Sequence, residues 1–241
     1  ILIPSRMAAT RLPGKPLLKI NNLSIISHVF KKAEEANIGE VVVATEDQEI
    51  LEDVLKNGGR AILTNKNHKT GTDRIYEAYQ KLDIKNVDYI LNLQGDEPDI
   101  NKDDIINLNN FMIDQNADLG TLASKMEDDK MFNNKNLVKV VTDKKLEKNN
   151  FPKALNFTRD NLSKDYQNIY HHIGIYSYKI NILKKFVDLR QTINEKLNKL
   201  EQLRALDNNL KINVALANYS PIGVDTQEDY LAIKKILEYK T

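Results

Sequence analysis

The chain has 241 residues, with 35 Lys and Arg against 34 Asp and Glu, 41% hydrophobic residues and no cysteine. That length supports a full hydrophobic core, and the lack of Cys excludes disulfides, thiolate metal sites and a Cys nucleophile. A formal charge of +1 argues against a polybasic nucleic-acid binder, no apolar run reaches the ~20 residues of a membrane span, and no signal-peptide pattern precedes the first motif. These features predict a cytoplasmic, soluble enzyme or binding domain, with neither nucleic acid nor membrane as partner.

Strand and helix signals alternate from the first residue, an Ile that reads as lying inside a strand over Ile1–Pro4. Ser24 is placed to cap a helix over Ile25–Asn37, where Ile25, Ile26, Val29, Phe30 and Ala33 recur at helical spacing. Glu40–Thr45 is a β-branched strand and Asp47–Asn57 a helix closed by Gly58 and Gly59. Arg60–Thr64 follows as a strand, Asp73–Leu82 as a helix, Val87–Leu93 as a strand and Asp103–Gln115 as a helix. This alternation predicts an α/β fold, a mostly parallel sheet with helices on both faces. The rhythm then breaks. Asp118–Ser124, Leu137–Thr142, Lys153–Thr158 and His172–Tyr178 read as strands, with polar connections at Glu127–Asn136 and Lys144–Asn150. Helices follow at Lys179–Leu189 and Asn194–Leu206, then a strand at Ile212–Ala217 and a terminal helix at Gln227–Tyr239. With no repeat and no linker, residues 1–241 read as a single domain carrying inserted antiparallel strands over about 118–178.

Ligands of open α/β sheets bind outside the carboxyl ends of the strands, so the strand-end loops carry the chemistry. The loop after the first strand, Pro4–Leu17, holds Arg6, Arg11 and Lys15 together with Thr10 and Gly14. Three cations beside several backbone N–H groups form a cradle for a polyphosphate, although the spacing alone also fits a solvated basic loop. The Walker pattern is absent. Lys outnumbers Arg throughout the chain, which draws attention to the arginines, because a planar bidentate fork is something Lys cannot copy. Leu93–Pro98 offers Asp96 to a hard cation such as Mg²⁺, or to the start of the next helix. Gly223–Asp229 offers Asp225, although on local evidence Asp225 or Thr226 reads first as an N-cap of the last helix. Among the inserted strands, His171 and His172 are adjacent and so point to opposite faces, which argues against a His–His metal pair. Glu201 and Gln202 also fit a solvated helix face, and His28, inside an apolar stripe, reads as structural.

Taken together, IPSRMAATRLPGKPL (Ile3–Leu17), GTDR (Gly71–Arg74), LNLQGDEP (Leu91–Pro98), NFTR (Asn156–Arg159), HHIGIYSY (His171–Tyr178), KLEQLRAL (Lys199–Leu206) and GVDTQEDY (Gly223–Tyr230) decide what none decides alone. In that order they resemble the 3-deoxy-D-manno-octulosonate cytidylyltransferase (CMP-Kdo synthetase) family of Gram-negative bacteria, over essentially the whole chain. The resemblance implies a Rossmann-like nucleotide-diphospho-sugar transferase fold with an inserted antiparallel dimerisation region. It also implies a homodimer that joins CTP and Kdo to give CMP-Kdo and pyrophosphate, with Mg²⁺, for lipopolysaccharide precursors. The interface is expected around Leu137–Thr142 and His172–Tyr178.

The family's roles fall on matching positions. Arg6, Thr10, Arg11, Lys15, Arg74 and Gln94 would bind CTP, and Lys15, Asp96 and Asp225 would be catalytic, the two aspartates holding Mg²⁺. Gln94, Arg159, His172, Tyr176, Glu201 and Gln202 would line the sugar site. The chain departs from the family after Arg159, where Asp160–Tyr166 lacks a second sugar-side Arg and Lys164 is the candidate replacement. Relatives acting on an 8-amino Kdo resemble this pattern too. A cytidylyltransferase for 8-amino-Kdo or a nonulosonate therefore stays open and, from another class, so does a non-catalytic nucleotide-binding sensor.

Overall fold

In the computed structural model, which describes residues 1–8, 11–126, 128–161 and 167–239, the alternating first part becomes a parallel sheet. Its elements are β1 (Leu2–Ser5), β2 (Lys19–Ile20), β3 (Leu23–Ser24), α1 (Ile25–Glu35), β4 (Val42–Thr45), α2 (Gln48–Lys56), β5 (Ala61–Leu63), α3 (Gly71–Leu82) and β6 (Tyr89–Asn92). The chain divides into two units, Ile1–Val87, Leu91–Ile105 and Pro221–Thr241 against Asp88–Ile90 and Ile106–Ser220, and these elements lie in the first apart from Tyr89 and Ile90 of β6. β4 pairs with β1 from Leu2↔Val42 to Ser5↔Thr45, β5 continues outward from β4, and Asn92 of β6 meets Leu2 on the other side of β1. The chain thus walks from β1 to β5 and then returns across β1. At such a reversal the loops leaving neighbouring strands part, and a crevice opens at their carboxyl ends.

Burial follows the pattern read from sequence. β4 is buried at all four positions, as a parallel strand covered on both faces must be. The Ser24 hydroxyl accepts from the Ser27 N–H and starts α1, whose Ile25, Ile26, Val29, Phe30 and Ala33 are buried. Each large apolar side chain there contributes about 1.5–3 kcal/mol. The β2–β3 hairpin is an addition to the sequence reading. Its signal is Asn21-Asn22, both at positive φ (50° and 64°), the conformation that a two-residue hairpin turn demands. Ile20 of this hairpin packs with Ile25, Val224 and Ile233, flanked by Leu12, Leu18 and Tyr230. That cluster seats both the residues around Lys15 and the approach to the C-terminal helix Gln227–Tyr239.

After α4 (Lys102–Asp114) come β7 (Leu119–Ser124), α5 (Asp129–Asn133), β8 (Lys139–Thr142), β9 (Ala154–Thr158), β10 (Ile169–Lys179), α6 (Ile180–Asp188), α7 (Ile193–Asn198), α8 (Leu203–Asp207) and β11 (Ile212–Leu216). β10 runs antiparallel to β7 and, at its first residues, to β8, which pairs with β9; β11 lies parallel on the far side of β7. The register of β10 on β7 shifts between Ile173 and Tyr176, and the Thr121 hydroxyl fills the irregularity by donating to the Ile175 carbonyl at 2.7 Å. Two expectations change here. The helix expected over Asn194–Leu206 is broken at Lys199, which takes a left-handed φ of 53°, and the connection at Glu127–Asn136 contains the short helix α5. β8 and most of β10 are buried. The exposed apolar side chains of this unit include Leu155, Ile193 and Leu197. Among the described residues no helix is long and apolar enough to cross a membrane.

Candidate active site

In the first unit, the loops leaving β1 and β6 enclose a cavity of about 380 Å³. Arg6, Arg11 and Lys15 line it from the first loop, Arg74 from α3, Gln94 and Asp96 from the loop after β6, and Asp225 from the segment before the C-terminal helix. Seven residues singled out from sequence thus meet in one place; Thr10 and Lys164 lie outside the described residues. A close approach explains one glycine of these loops and backbone conformation another. A Cβ on Gly95 would stand 2.9 Å from the Pro4 carbonyl oxygen, so only glycine lets the loop after β6 lie against β1. Gly14 adopts φ 71° and gives way directly to a 3-10 turn over Lys15–Leu17, with Pro16 in its first turn. That turn sends Lys15 back across the cavity.

The Lys15 ammonium donates to Asp96 Oδ2 at 2.6 Å, to Asp225 Oδ1 at 3.0 Å and to the Val224 carbonyl at 2.9 Å. Arg11 Nη2 pairs with Asp225 Oδ2 at 2.6 Å. Burial acts most strongly on Lys15 and lowers its pKa, but the two carboxylates together outweigh it, and the net shift is upward. Lys15 therefore stays charged. The Val224 N–H donates to the Asp96 carbonyl at 2.8 Å, which ties together the two segments that carry the aspartates. Asp225 is also relieved of capping. The Thr226 hydroxyl accepts from the Asp229 N–H at 3.2 Å, while the Asp229 carboxylate accepts from the N–H groups of Thr226 and Asp225 at 2.9 and 3.1 Å. Thr226 and Asp229 thus cap the last helix between them, and the Asp225 side chain is left to face the cavity.

Next to Asp96, burial first and the Asp96 charge second push the Glu97 carboxyl up to about 8. Among the described residues no group of three or more His, Cys, Asp or Glu side chains could hold a metal. Two carboxylates converging on one ammonium are nevertheless a donor set that fits Mg²⁺, which takes one or two carboxylates and completes its shell with water and phosphate oxygens.

Arg74 is 3% exposed and already engaged, donating to Thr64 Oγ1 at 2.7 Å and pairing with Glu46. It reaches the cavity as part of its wall. His68 and Lys69, which the sequence reading passed over, also line the cavity; their signal is a position immediately before the GTDR motif. His68 contacts Glu77. Burial would raise the Glu77 carboxyl, but bonds from Lys81, His68 and the Asn65 N–H hold it at about 2.

The remaining candidates lie in the second unit. His172 is buried, with Nε2 3.0 Å from both Thr121 Oγ1 and the Tyr176 hydroxyl. Burial, then the charges of His171 and Arg159, lower its pKa to about 3, so the imidazole is neutral. Burial raises Tyr176 well above its ordinary value, with Tyr178 and Glu201 adding to the effect. Arg159 donates to the Asn136 carbonyl at 2.7 Å, and its own carbonyl accepts from the buried Lys139 at 3.0 Å. His171 points the other way, its Nδ1 2.5 Å from Ser220 Oγ, as alternation along a strand requires. Gln202 is buried. Glu201 lies 3.6 Å from Arg204, whose guanidinium grips the buried Glu195 through Nε at 2.9 Å and Nη2 at 2.6 Å. His28, expected to be structural, bonds the Ile20 carbonyl at 2.8 Å.

Comparison with known proteins agrees with the motifs. The family model described as Cytidylyltransferase matches residues 1–212. A 3-deoxy-manno-octulosonate cytidylyltransferase of Thermodesulfovibrio yellowstonii is 43% identical over 98% of this chain and 96% of its own length. The protein of the same name from Nitrobacter hamburgensis is 42% identical over 98% of this chain and 92% of its own. A solved structure of CMP:2-keto-3-deoxy-manno-octonic acid synthetase complexed with CTP matches with a TM-score of 0.90 and 31% identity, covering 100% of this chain and 98% of the other.

Proposed function

Since the chain belongs to the 3-deoxy-manno-octulosonate cytidylyltransferase family, and so to the nucleotidyltransferases, we propose the following division of its activity among its residues. The reaction joins CTP and Kdo to give CMP-Kdo and pyrophosphate, a step toward lipopolysaccharide precursors. The observation that carries the assignment is the Lys15 ammonium held between Asp96 and Asp225 in a cavity also lined by Arg6 and Arg11. In this reading Arg6, Arg11 and Lys15 take the triphosphate, with Lys15 nearest the charge that develops at the α-phosphorus. Gln94 and Thr10 serve the nucleotide directly, and Arg74 serves it by holding the wall through Glu46 and Thr64.

The chemistry is an in-line displacement by the sugar's anomeric hydroxyl. Two anionic substrates must meet, so charge neutralisation comes first. Asp96 and Asp225 would hold Mg²⁺, which when bound neutralises phosphate charge and lowers the proton affinity of the attacking hydroxyl. Arg159 suits the Kdo carboxylate. His172, neutral and hydrogen-bonded, joins Tyr176, Glu201 and Gln202 in meeting the sugar hydroxyls. A side-chain nucleophile is not needed.

The chain works as one nucleotidyltransferase domain across residues 1–241, as a cytoplasmic homodimer whose contact uses exposed apolar side chains such as Leu155. Light scattering that gave a monomer mass at working concentration would remove the dimer. The substrate test is pyrophosphate release from CTP with a panel of 2-keto sugar acids. Release with Kdo is the expected result, preferential release with 8-amino-Kdo or a nonulosonate would reassign the sugar, and no release with any acid would leave a nucleotide sensor.

A further inference from the structure

At the end of β4, the neighbouring carboxylates of Glu46 and Asp47 turn to different tasks. Glu46 pairs with Arg74. Asp47 occupies the N-cap position of α2, where an aspartate ordinarily accepts from an N–H of the first helical turn, yet it makes no such bond. Its Oδ2 instead accepts the Met7 backbone N–H at 2.7 Å, from a residue 40 positions away. The Asp47 N–H donates to Thr45 Oγ1 at 3.1 Å, and Thr45 is itself fully buried and in register with Ser5 across the β1–β4 pair. The acceptor thus stands just past the carboxyl end of β4, a strand paired on both sides.

The Met7 peptide is held at its other end too, its carbonyl accepting the Gly14 N–H at 3.2 Å. Lys15 follows Gly14 directly, and Arg6 and Ala8, on either side of Met7, both line the cavity. One side chain therefore fixes the point at which the cation-bearing loop leaves β1, and α2 starts without a side-chain cap.

We propose that Asp47 is a positioning residue for nucleotidyl transfer, holding the Met7 peptide so that Arg6, Arg11 and Lys15 are presented together to the triphosphate. The inference rests on the reading of the cavity as the CTP site. Two variants separate its capping position from its tether. Asp47→Ser supplies a good helix cap, but its hydroxyl is one bond too short to reach Met7; Asp47→Asn keeps an oxygen that can accept the Met7 N–H.

For Asp47→Ser the expected result is a CTP KM raised about tenfold or more, an unchanged Kdo KM, an unchanged or higher thermal midpoint, and faster hydrogen exchange at the Met7 amide. Asp47→Asn should stay within about threefold of the unaltered protein and keep that amide slow, since the acceptor persists. A Ser variant with an unaltered CTP KM would overturn the inference. So would a rise in KM that comes with a lowered midpoint, or an Asn variant as impaired as the Ser variant. Failure of the unaltered protein to release pyrophosphate from CTP would bring down the reading of the cavity itself, and the inference with it.

Discussion

In the first unit two carboxylates and two cations meet in a cavity open to solvent on one side, the Arg11 and Asp225 side chains being 62% and 46% exposed and Lys15 14%. In the second, a neutral imidazole, a phenol and a threonine hydroxyl meet where His172 is 7% exposed, beside the fully enclosed Arg204–Glu195 pair. Exposed ion pairs contribute about 0–1 kcal/mol to stability, so the Arg11–Asp225 pair does little for the fold and is available to a ligand. Enclosed groups are different. Removing one partner of a buried pair strands the other charge and costs about 3–5 kcal/mol. Substitutions in the two places should therefore separate, one set acting on turnover and the other on stability.

The largest effect is expected from Asp225→Asn or Asp96→Asn, which should lower turnover on the order of 10²–10³-fold, because an amide is a poor ligand for a hard cation and carries no charge. The thermal midpoint should hold, since Thr226 and Asp229 cap the last helix without Asp225. Wild-type turnover in Asp225→Asn, measured by pyrophosphate release, would remove Asp225 from the metal site and blur the contrast. Next in size is Glu195→Ala. It removes the bidentate partner of the buried Arg204 and breaks the capping box that Glu195 forms with Thr192, and a melt should show a midpoint lower by roughly 10 °C. CTP KM should not change in the protein that remains folded; a large shift in it would make the buried pair part of the nucleotide machinery.

A further expectation, confined to acid pH, is a dependence of stability on pH. His172 and His171 sit at about 3 and about 4 in the folded chain, against 6.5 when unfolded. Between those values the unfolded chain binds more protons, so stability rises with pH there. Both contributions are complete above pH 6.5 and are lost as pH falls through about 4 and then about 3. His172→Asn should flatten the acid side of a plot of thermal midpoint against pH. A plot as steep as the original would show that other groups govern acid sensitivity.

What sequence reveals differs between the regions as well. Strand-end loops announce themselves, because Arg6, Arg11, Lys15 and Asp96 sit on short segments directly after apolar runs, and topology alone brings those segments together. Asp225 was ambiguous with a helix cap, and only the geometry of Thr226 and Asp229 separates the two roles. Asp47 was hidden for the opposite reason, since an aspartate before a helix reads as a cap and nothing local points to Met7. In the second unit, spacing along β10 sent His171 and His172 to opposite faces, as found. The break at Lys199 went unseen because the apolar periodicity of Asn194–Leu206 persists through a left-handed residue. The carboxyl of Glu97 near 8 depends on burial that no local pattern encodes.

The central proposal, that Arg159 serves the sugar carboxylate and not the nucleotide, meets its most direct test in Arg159→Ala. CTP affinity by calorimetry and the Kdo-dependent rate of pyrophosphate release should be measured on the same preparation. The account predicts CTP affinity within about twofold of the unaltered protein and a Kdo KM raised about tenfold or more, the loss of a charge-assisted hydrogen bond to the sugar carboxylate. An equal loss of CTP affinity would put Arg159 on the nucleotide and contradict the division.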